Sequence, residues 1–167
     1  MRKTLKYGII VGLTNTLVML FEYLMEWDVS PLMRNVGYVS LIVLALGIYY
    51  GIKSKRDNEM EGCISYTQAL LSGVLIALFV GIITGAFSYL YFRSINPDLA
   101  DILIGEKEEM MNKLHLTDEK KLRQLQWLHT EYSPRGQMIF SFANSLLLGV
   151  IFSSISSFFL HIRRSER

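Results

Sequence analysis

The stretch Gly47–Gly73, GIYYGIKSKRDNEMEGCISYTQALLSG, decides the fold. It joins two apolar runs through a short charged centre, KSKRD. That centre is either a binding or catalytic loop of a soluble domain, or the joint of a membrane hairpin. The flanks choose between them. Eighteen residues without charge separate Arg34 from Lys53, thirty-one separate Glu61 from Arg93, and twenty-seven separate Arg135 from Arg163. A bilayer core of about 30 Å needs about 20 helical residues at a rise of about 1.5 Å each, so each block is a candidate span. Lys6 to Glu22 encloses fifteen and qualifies once Glu22 is placed inside the membrane, a turn before Glu26. A water-soluble bundle would show charges at every turn of its outer face; these blocks show none. Hydrophobic residues make up 51 % of the chain and mean hydropathy is +0.30. The expected fold is therefore all-α, an integral membrane four-helix bundle forming a single membrane domain over 1–167, with spans near 5–25, 35–52, 66–92 and 137–162.

The net charge of +2 says little about partners; the placement of charge says more. Arg2, Lys3 and Lys6 precede the first span, Lys53, Lys55 and Arg56 follow the second, and Arg163, Arg164 and Arg167 follow the fourth. Arg34 between the first two spans stands beside Glu26 and Asp28. By the positive-inside rule both termini and the joint are cytoplasmic, and 93–135 is external. That segment balances seven Lys and Arg against eight Asp and Glu. The basic start is like that of a signal peptide, but large residues fill the place of a cleavage site, so an uncleaved first span is expected. Cys63 is the sole cysteine, which excludes an intrachain disulfide and a thiolate metal cluster.

Each span carries small residues four apart: Gly8, Gly12 and Thr16; Gly47 and Gly51; Ala69, Gly73, Ala77, Gly81 and Gly85; Ser141, Ser145, Gly149, Ser153 and Ser157. Such stripes lie on one helix face and let backbones approach closely. Internal packing is the favoured use and dimerisation the alternative. The external loop 93–135 is expected to hold two amphipathic helices. Asn96 caps the first, with Pro97 at its first position and Leu99, Leu103, Met110 and Leu114 along one face; Thr117 caps the second, with Leu122, Leu125, Leu128 and Tyr132. Trp127 falls on the opposite face, as an interfacial anchor or a protein contact.

Polar groups inside spans are the default functional candidates. Asn15 sits near the middle of the first span, Glu22 near its outer end, and Asn144 within the fourth; Gln68 begins the third. Asn15 is expected to face the bundle and hydrogen-bond across it. Glu22 either snorkels or pairs with Arg34, or else forms a proton or cation site. His115, His129 and His161 lack any ligand at metal spacing. No Walker loop, GxSxG elbow or HExxH is present, and the run SSISSFF has no base near it. No cofactor and no catalytic residue is expected. Lys53, Lys55 and Arg56 are expected to meet anionic headgroups.

At the joint, Gly51-Ile52-Lys53, Arg56-Asp57, Gly62, Ile64-Ser65-Tyr66 and Gln68-Ala69 resemble the signature of an uncharacterised bacterial family of four-span membrane proteins, a domain of unknown function. The resemblance extends over nearly the whole chain, with Glu61 standing where a second small residue would be expected. It implies four spans in a bacterial inner membrane, and no substrate, reaction or cofactor. It also fits the joint reading: Lys53 and Arg56 hold the turn at the cytoplasmic face, Asp57 neutralises one of them, and Ser65 or Thr67 caps the third span. The leading functional expectation is a non-enzymatic structural or accessory protein. It would contact membrane lipids, and through its external helices another envelope protein or a second copy of itself as a homo-oligomer, with no nucleic acid. The alternative is a small transporter or channel component using Asn15 and Glu22.

Overall fold

The computed structural model describes residues 2–27, 38–113 and 117–161. Its elements are α1 (Arg2–Leu24), α2 (Tyr38–Glu59), α3 (Tyr66–Leu90) continued by a π-helical turn (Tyr91–Ile95), α4 (Leu99–Lys113), α5 (Asp118–Glu131) and α6 (Pro134–Leu160). The expected Glu22–Arg34 pair, the start of the second span at Asn35, Leu114, His115 and the tail arginines lie outside the described residues.

Among the described residues, three helices are long and apolar enough to cross a membrane: Lys3–Leu24, Tyr66–Ile95 and Pro134–Leu160. The fourth long helix, α2, ends in a charged segment. It nevertheless packs on α1, α3 and α6 and buries Leu44, Ile48, Gly51 and Ile52. The small-residue stripes set the helix directions. Val11 and Tyr7 of α1 face Gly47 and Gly51 of α2, so these helices run antiparallel. Gly8 and Gly12 face Phe79 and Ile83, so α1 and α3 are parallel. Gly73, Gly81 and Gly85 meet Ser153, Ser145 with Phe142, and Met138, while Ala77 meets Gly149, so α6 runs back along α3. The favoured internal use of the stripes is what the structure shows, with α3 and α6 the most extensive pair. One end of the assembly carries the start of α1 and the end of α6; the opposite end carries α4 and α5 and is called the cap end below.

The KSKRD segment departs from the expected turn. Lys53, Arg56 and Asp57 lie on the last turns of α2, which continues to Glu59. Lys and Arg are good helix formers, and nothing in the segment breaks the hydrogen-bond ladder. The chain reverses at Met60–Ser65 instead, where Glu61 (φ +50°) and Gly62 (φ +82°) take left-handed backbone and Gly62 N–H reaches back to Arg56 O at 3.0 Å. The glutamate stands in a conformation that glycine adopts without strain. Ser65 caps α3 in a capping box with Gln68, which gives Gln68 a local role. Lys55, expected at lipid headgroups, donates from Nζ to Ser72 Oγ at 2.6 Å, and Ser72 donates to Gln68 O. The amphipathic stem of a lysine lets its head reach such a partner across the helix pair. Arg56 donates to Asp57 at 2.7 Å; this hydrogen bond holds the exposed Asp57 carboxyl below the usual range, helped by the positive charges of Arg56 and Lys53 and opposed by slight desolvation.

The other boundaries shift modestly. Ser133 caps α6 and Pro134 opens it, a favoured position for proline, so this helix begins before the expected 137. Thr117 precedes α5 without a side-chain cap bond, and α4 starts at Leu99 after a turn at Pro97 and Asp98. Its buried side chains are Leu99, Ile104 and Met111, so the expected stripe through Met110 is corrected. The cause is two different partners. Leu99 packs on Tyr91 and Phe92 at the top of the long helices, whereas Ile104 and Met111 pack on Leu128 of α5. Met110, Leu122 and Trp127 remain exposed. Gly105, inside α4, faces open space. Gly105→Ala is therefore expected to stabilise the protein by about 0.5–1 kcal/mol, read as a higher unfolding midpoint in detergent.

Candidate functional site

The polar residues of the spans converge at the cap end. A cavity of about 240 Å³ is lined by Asn15, Met19 and Glu22 of α1, Ser40, Leu41 and Leu44 of α2, Thr84 and Ser88 of α3, and Ser141, Asn144, Ser145 and Leu148 of α6. All four long helices contribute.

Chain order gives the cavity its depth. Glu22 lies two residues from the end of α1 and Ser40 two residues into α2, whereas Ser88 lies seven residues before the end of the π-helical continuation of α3 and Ser141 seven residues into α6; Glu22 and Ser40 are the lining residues nearest the cap end. Asn15 is nine residues below Leu24 and Ser145 eleven below Pro134, about 13 and 16 Å along their helices. With Leu44 and Leu148 they form the floor. Asn15 and Glu22 share a face of α1 because seven residues make two turns.

Hydroxyls lace the α3–α6 wall. Ser88 Oγ and Ser141 Oγ are 2.8 Å apart; Thr84 Oγ1 donates to Val80 O at 2.9 Å and stands 3.4 Å from Ser145 Oγ. A hydroxyl has one hydrogen and two lone pairs, so each retains acceptor capacity toward the cavity. Asn15 is 9 % exposed and its Oδ1 atom is buried without a hydrogen-bond partner among the described residues. The expected interhelical bond from that oxygen is not made. Glu22 is half-buried, with Oε1 shielded from solvent. Asn144 is exposed and stands at the rim.

Glu22 also lines a second space of about 200 Å³, with Met19, Trp27, Tyr91, Phe92, Leu99, Leu103 and Gln137. This aromatic chamber lies under α4. Glu26 (φ +56°) ends α1 in left-handed backbone, and Trp27 N–H bonds Glu22 O at 2.8 Å, which turns the Trp27 ring back over the helix end. Below the floor the assembly is closed by the buried core of Leu44, Ile48, Ile76, Ala77 and Val80.

Asn15, Glu22 and Asn144 are thus brought together. Trp127 is not: it is 62 % exposed on a groove of about 450 Å³ between α4 and α5, with Lys107, Met110, Met111, Gln124, Leu128, Glu131 and Tyr132. Lys53, Arg56 and Asp57 lie at the far end of α2, away from the cavity. Residue spacing alone marks Ser141 and Ser145 as packing residues and passes over Ser40, Thr84 and Ser88. The available signal was a matching pair of hydroxyl residues four apart on each of α3 and α6.

A family model described as "Protein of unknown function (DUF4199)" matches residues 6–161, nearly the whole chain. The chain belongs to the DUF4199 family. No curated protein and no solved structure matches it. The resemblance carried by the joint residues therefore holds at the level of this family. The DUF4199 description supplies no reaction or ligand, so the chemistry has to come from the cavity. Its lining offers one carboxylate, two amides and five hydroxyls, and among the described residues it holds no Lys, Arg, His or Cys. The arrangement can accept hydrogen bonds and attract positive charge.

Proposed function

We propose that the protein is a non-enzymatic multi-pass membrane protein of four spans, α1, α2, α3 and α6, that takes a small polar solute into the cap-end cavity, as a small transporter or channel component does. The observation that carries this reading is the convergence of Asn15, Glu22, Ser40, Thr84, Ser88, Ser141, Asn144 and Ser145 from four helices on one space. Polar groups are costly in lipid, and where they cluster toward a shared interior they mark a solute path. The apolar core beneath the floor makes this a one-sided pocket and not an open pore, so passage would require the α3–α6 wall to move. In the cell the cap end would be external and both termini cytoplasmic, in a bacterial inner membrane, following the charge placement.

Accessibility of the floor tests this. In a Cys63→Ser background, Ser145→Cys is expected to react with a small water-soluble methanethiosulfonate reagent supplied from the cap side. Ile151→Cys, on an exposed apolar position of α6, is expected to stay unreacted because lipid covers it. Equal protection of both thiols would remove the water-reached cavity and the reading with it.

A second reading keeps the accessory role, exercised through the α4–α5 pair toward an envelope protein or a second copy. It is favoured by Met110, Leu122 and Trp127, large apolar side chains left exposed on helices outside the long-helix assembly.

A further inference from the structure

We propose that the outer flank of the α3–α6 contact is a binding site for an anionic phospholipid of the leaflet at the cap end. One acyl chain lies in an apolar groove between the two helices, and the phosphate is held by the guanidinium groups of Arg93 and Arg135. The inference rests on the reading of α3 and α6 as membrane spans and is independent of the solute cavity.

The groove encloses about 350 Å³ and is lined by Gly81, Ile82, Gly85 and Ala86 of α3 and by Met138, Ile139 and Phe142 of α6. Two glycines shape it. A Cβ on Gly81 would stand 3.1 Å from Phe142 Cδ2, and one on Gly85 3.0 Å from Met138 O. The helices therefore press together there and leave the space beside the contact unfilled. Ile82, Ala86, Met138 and Ile139 are exposed, and no lining residue carries a charged or hydrogen-bonding side chain. On α6 the groove runs from four to eight residues past Pro134, about 6 to 12 Å along the helix. At that depth in a spanning helix the solvent is hydrocarbon chain.

Positive charge stands at the cap-side end of this groove. Ile82, Ala86, Tyr89 and Arg93 recur at spacings of four, three and four, and Arg135, Ile139 and Phe142 at four and three, so each arginine shares the helix face that lines the groove. Gly85 meets Met138, and one turn nearer the cap from that contact stand Tyr89 on α3 and Arg135 on α6. Arg93 folds back to the same level: its Cζ lies 5.6 Å from the centre of the Tyr89 ring, and Nη1 donates to Tyr89 Oη. Both arginines are exposed, and neither forms an ion pair among the described residues. Arg135 is the second residue of α6, where the helix dipole adds positive potential. A guanidinium presents five N–H donors in a fork that fits phosphate, and the bond to Tyr89 uses one of those of Arg93. A zwitterionic lipid carries its own ammonium beside the phosphate, so an anionic one gains more from the pair, about fivefold per arginine. A second copy packed on this face about an axis along the membrane normal would bring its own Arg93 and Arg135 to the same height, like charge against like.

The test uses the full chain in phosphatidylcholine vesicles containing a trace of phosphatidylglycerol with a photoactivatable diazirine in its acyl chain. A phosphatidylcholine with the same diazirine chain is the comparison, and mass spectrometry locates the adducts. Adducts on 81–86 and 138–142 are expected to be roughly tenfold or more abundant with the phosphatidylglycerol probe. Arg93→Gln and Arg135→Gln, both at exposed positions, are each expected to cut that labelling about fivefold and to leave labelling by the phosphatidylcholine probe unchanged. Ala86→Phe, which fills the groove from an exposed position, is expected to reduce labelling there by both probes. Equal labelling of the wild-type chain by the two probes overturns the assignment. So does phosphatidylglycerol labelling that persists in the double arginine variant, or a disulfide-linked dimer of the Cys63→Ser, Ile139→Cys chain, which would give the groove to a second copy. If Ile151→Cys stays protected in these vesicles while the probes label equally, the lipid site falls and the spans stand; if Ile151→Cys reacts from water, α6 does not span and both fall.

Discussion

Gly149→Leu is expected to break the assembly at its tightest contact. A Cβ at 149 would fall on the Ala77 side chain, with Ala77 Cα at 3.5 Å and Ile48 Cδ1 at 3.9 Å. The obstruction is the Ala77 methyl, fixed rigidly to the α3 backbone, so no rotamer change clears it. Nor can α6 swing away locally. One turn toward its C-terminus Ser153 is held against Gly73, and one turn the other way Ser145 and Phe142 lie against Gly81. Separating the helices at 149 opens both neighbouring contacts. In lipid the opened gap is not re-closed by a hydrophobic drive, because side chains and lipid tails are equally apolar. Overpacking a close-packed core costs about 1–3 kcal/mol, and the upper part of that range applies when two backbones must part. Unfolding in mixed micelles should show the loss, with Gly149→Ala milder. Ile151→Leu, on an exposed position, should be close to neutral. A wild-type unfolding midpoint for Gly149→Leu would show that α3 and α6 do not meet through these stripes.

Ser40→Phe is expected to close the cavity while leaving the assembly intact. Ser40 lines the cavity from the first turn of α2, in the same lining as Ser88 and Ser141 of the α3–α6 wall. Phenylalanine replaces a hydroxymethyl group with a benzyl group in the lining it shares with Glu22 and Ser141. It also removes a polar group from that lining, so water entering there meets an apolar surface. Labelling of Ser145→Cys behind it should slow by roughly tenfold or more, about 1.4 kcal/mol in an access equilibrium, with elution and unfolding midpoint preserved. Ser40→Thr keeps the hydroxyl and should retain most of the labelling. Unchanged labelling in the Ser40→Phe variant would mean that the floor is reached from elsewhere, and the aromatic chamber beside Trp27 would be the route to test next.

Much of the fold was legible from local signals. Charge-free blocks of span length, small residues four apart and the two amphipathic stripes each depend on helical period and length, which operate within a single helix. They located the four long helices among the described residues and the α4–α5 pair, and turned the glycine and serine stripes inward, whereas Met110 and Leu122 of the expected amphipathic stripes are exposed. The joint was misplaced because a cluster of charges signals exposure to water without signalling a break in the helix. Strong helix formers simply carried α2 out past Ile52 to the reversal at Glu61 and Gly62.

The site was half legible. Asn15, Glu22 and Asn144 stand out because strongly polar residues are conspicuous in an apolar run. Ser40, Thr84 and Ser88 do not, since serine and threonine are ordinary in membrane helices and can satisfy themselves on the carbonyl four residues back, as Thr84 does. The sequence by itself determined a helical protein with segments long and apolar enough to cross a membrane, and the faces its helices would bury, because both follow from residue spacing along one axis. Only the tertiary structure decided that the polar residues share a cavity toward the cap end, with Ile48, Ile76 and Val80 packed in the core beyond it. That outcome depends on the rotation and relative height of four helices, which are set by which small residue meets which neighbour across the α1–α3 and α3–α6 contacts.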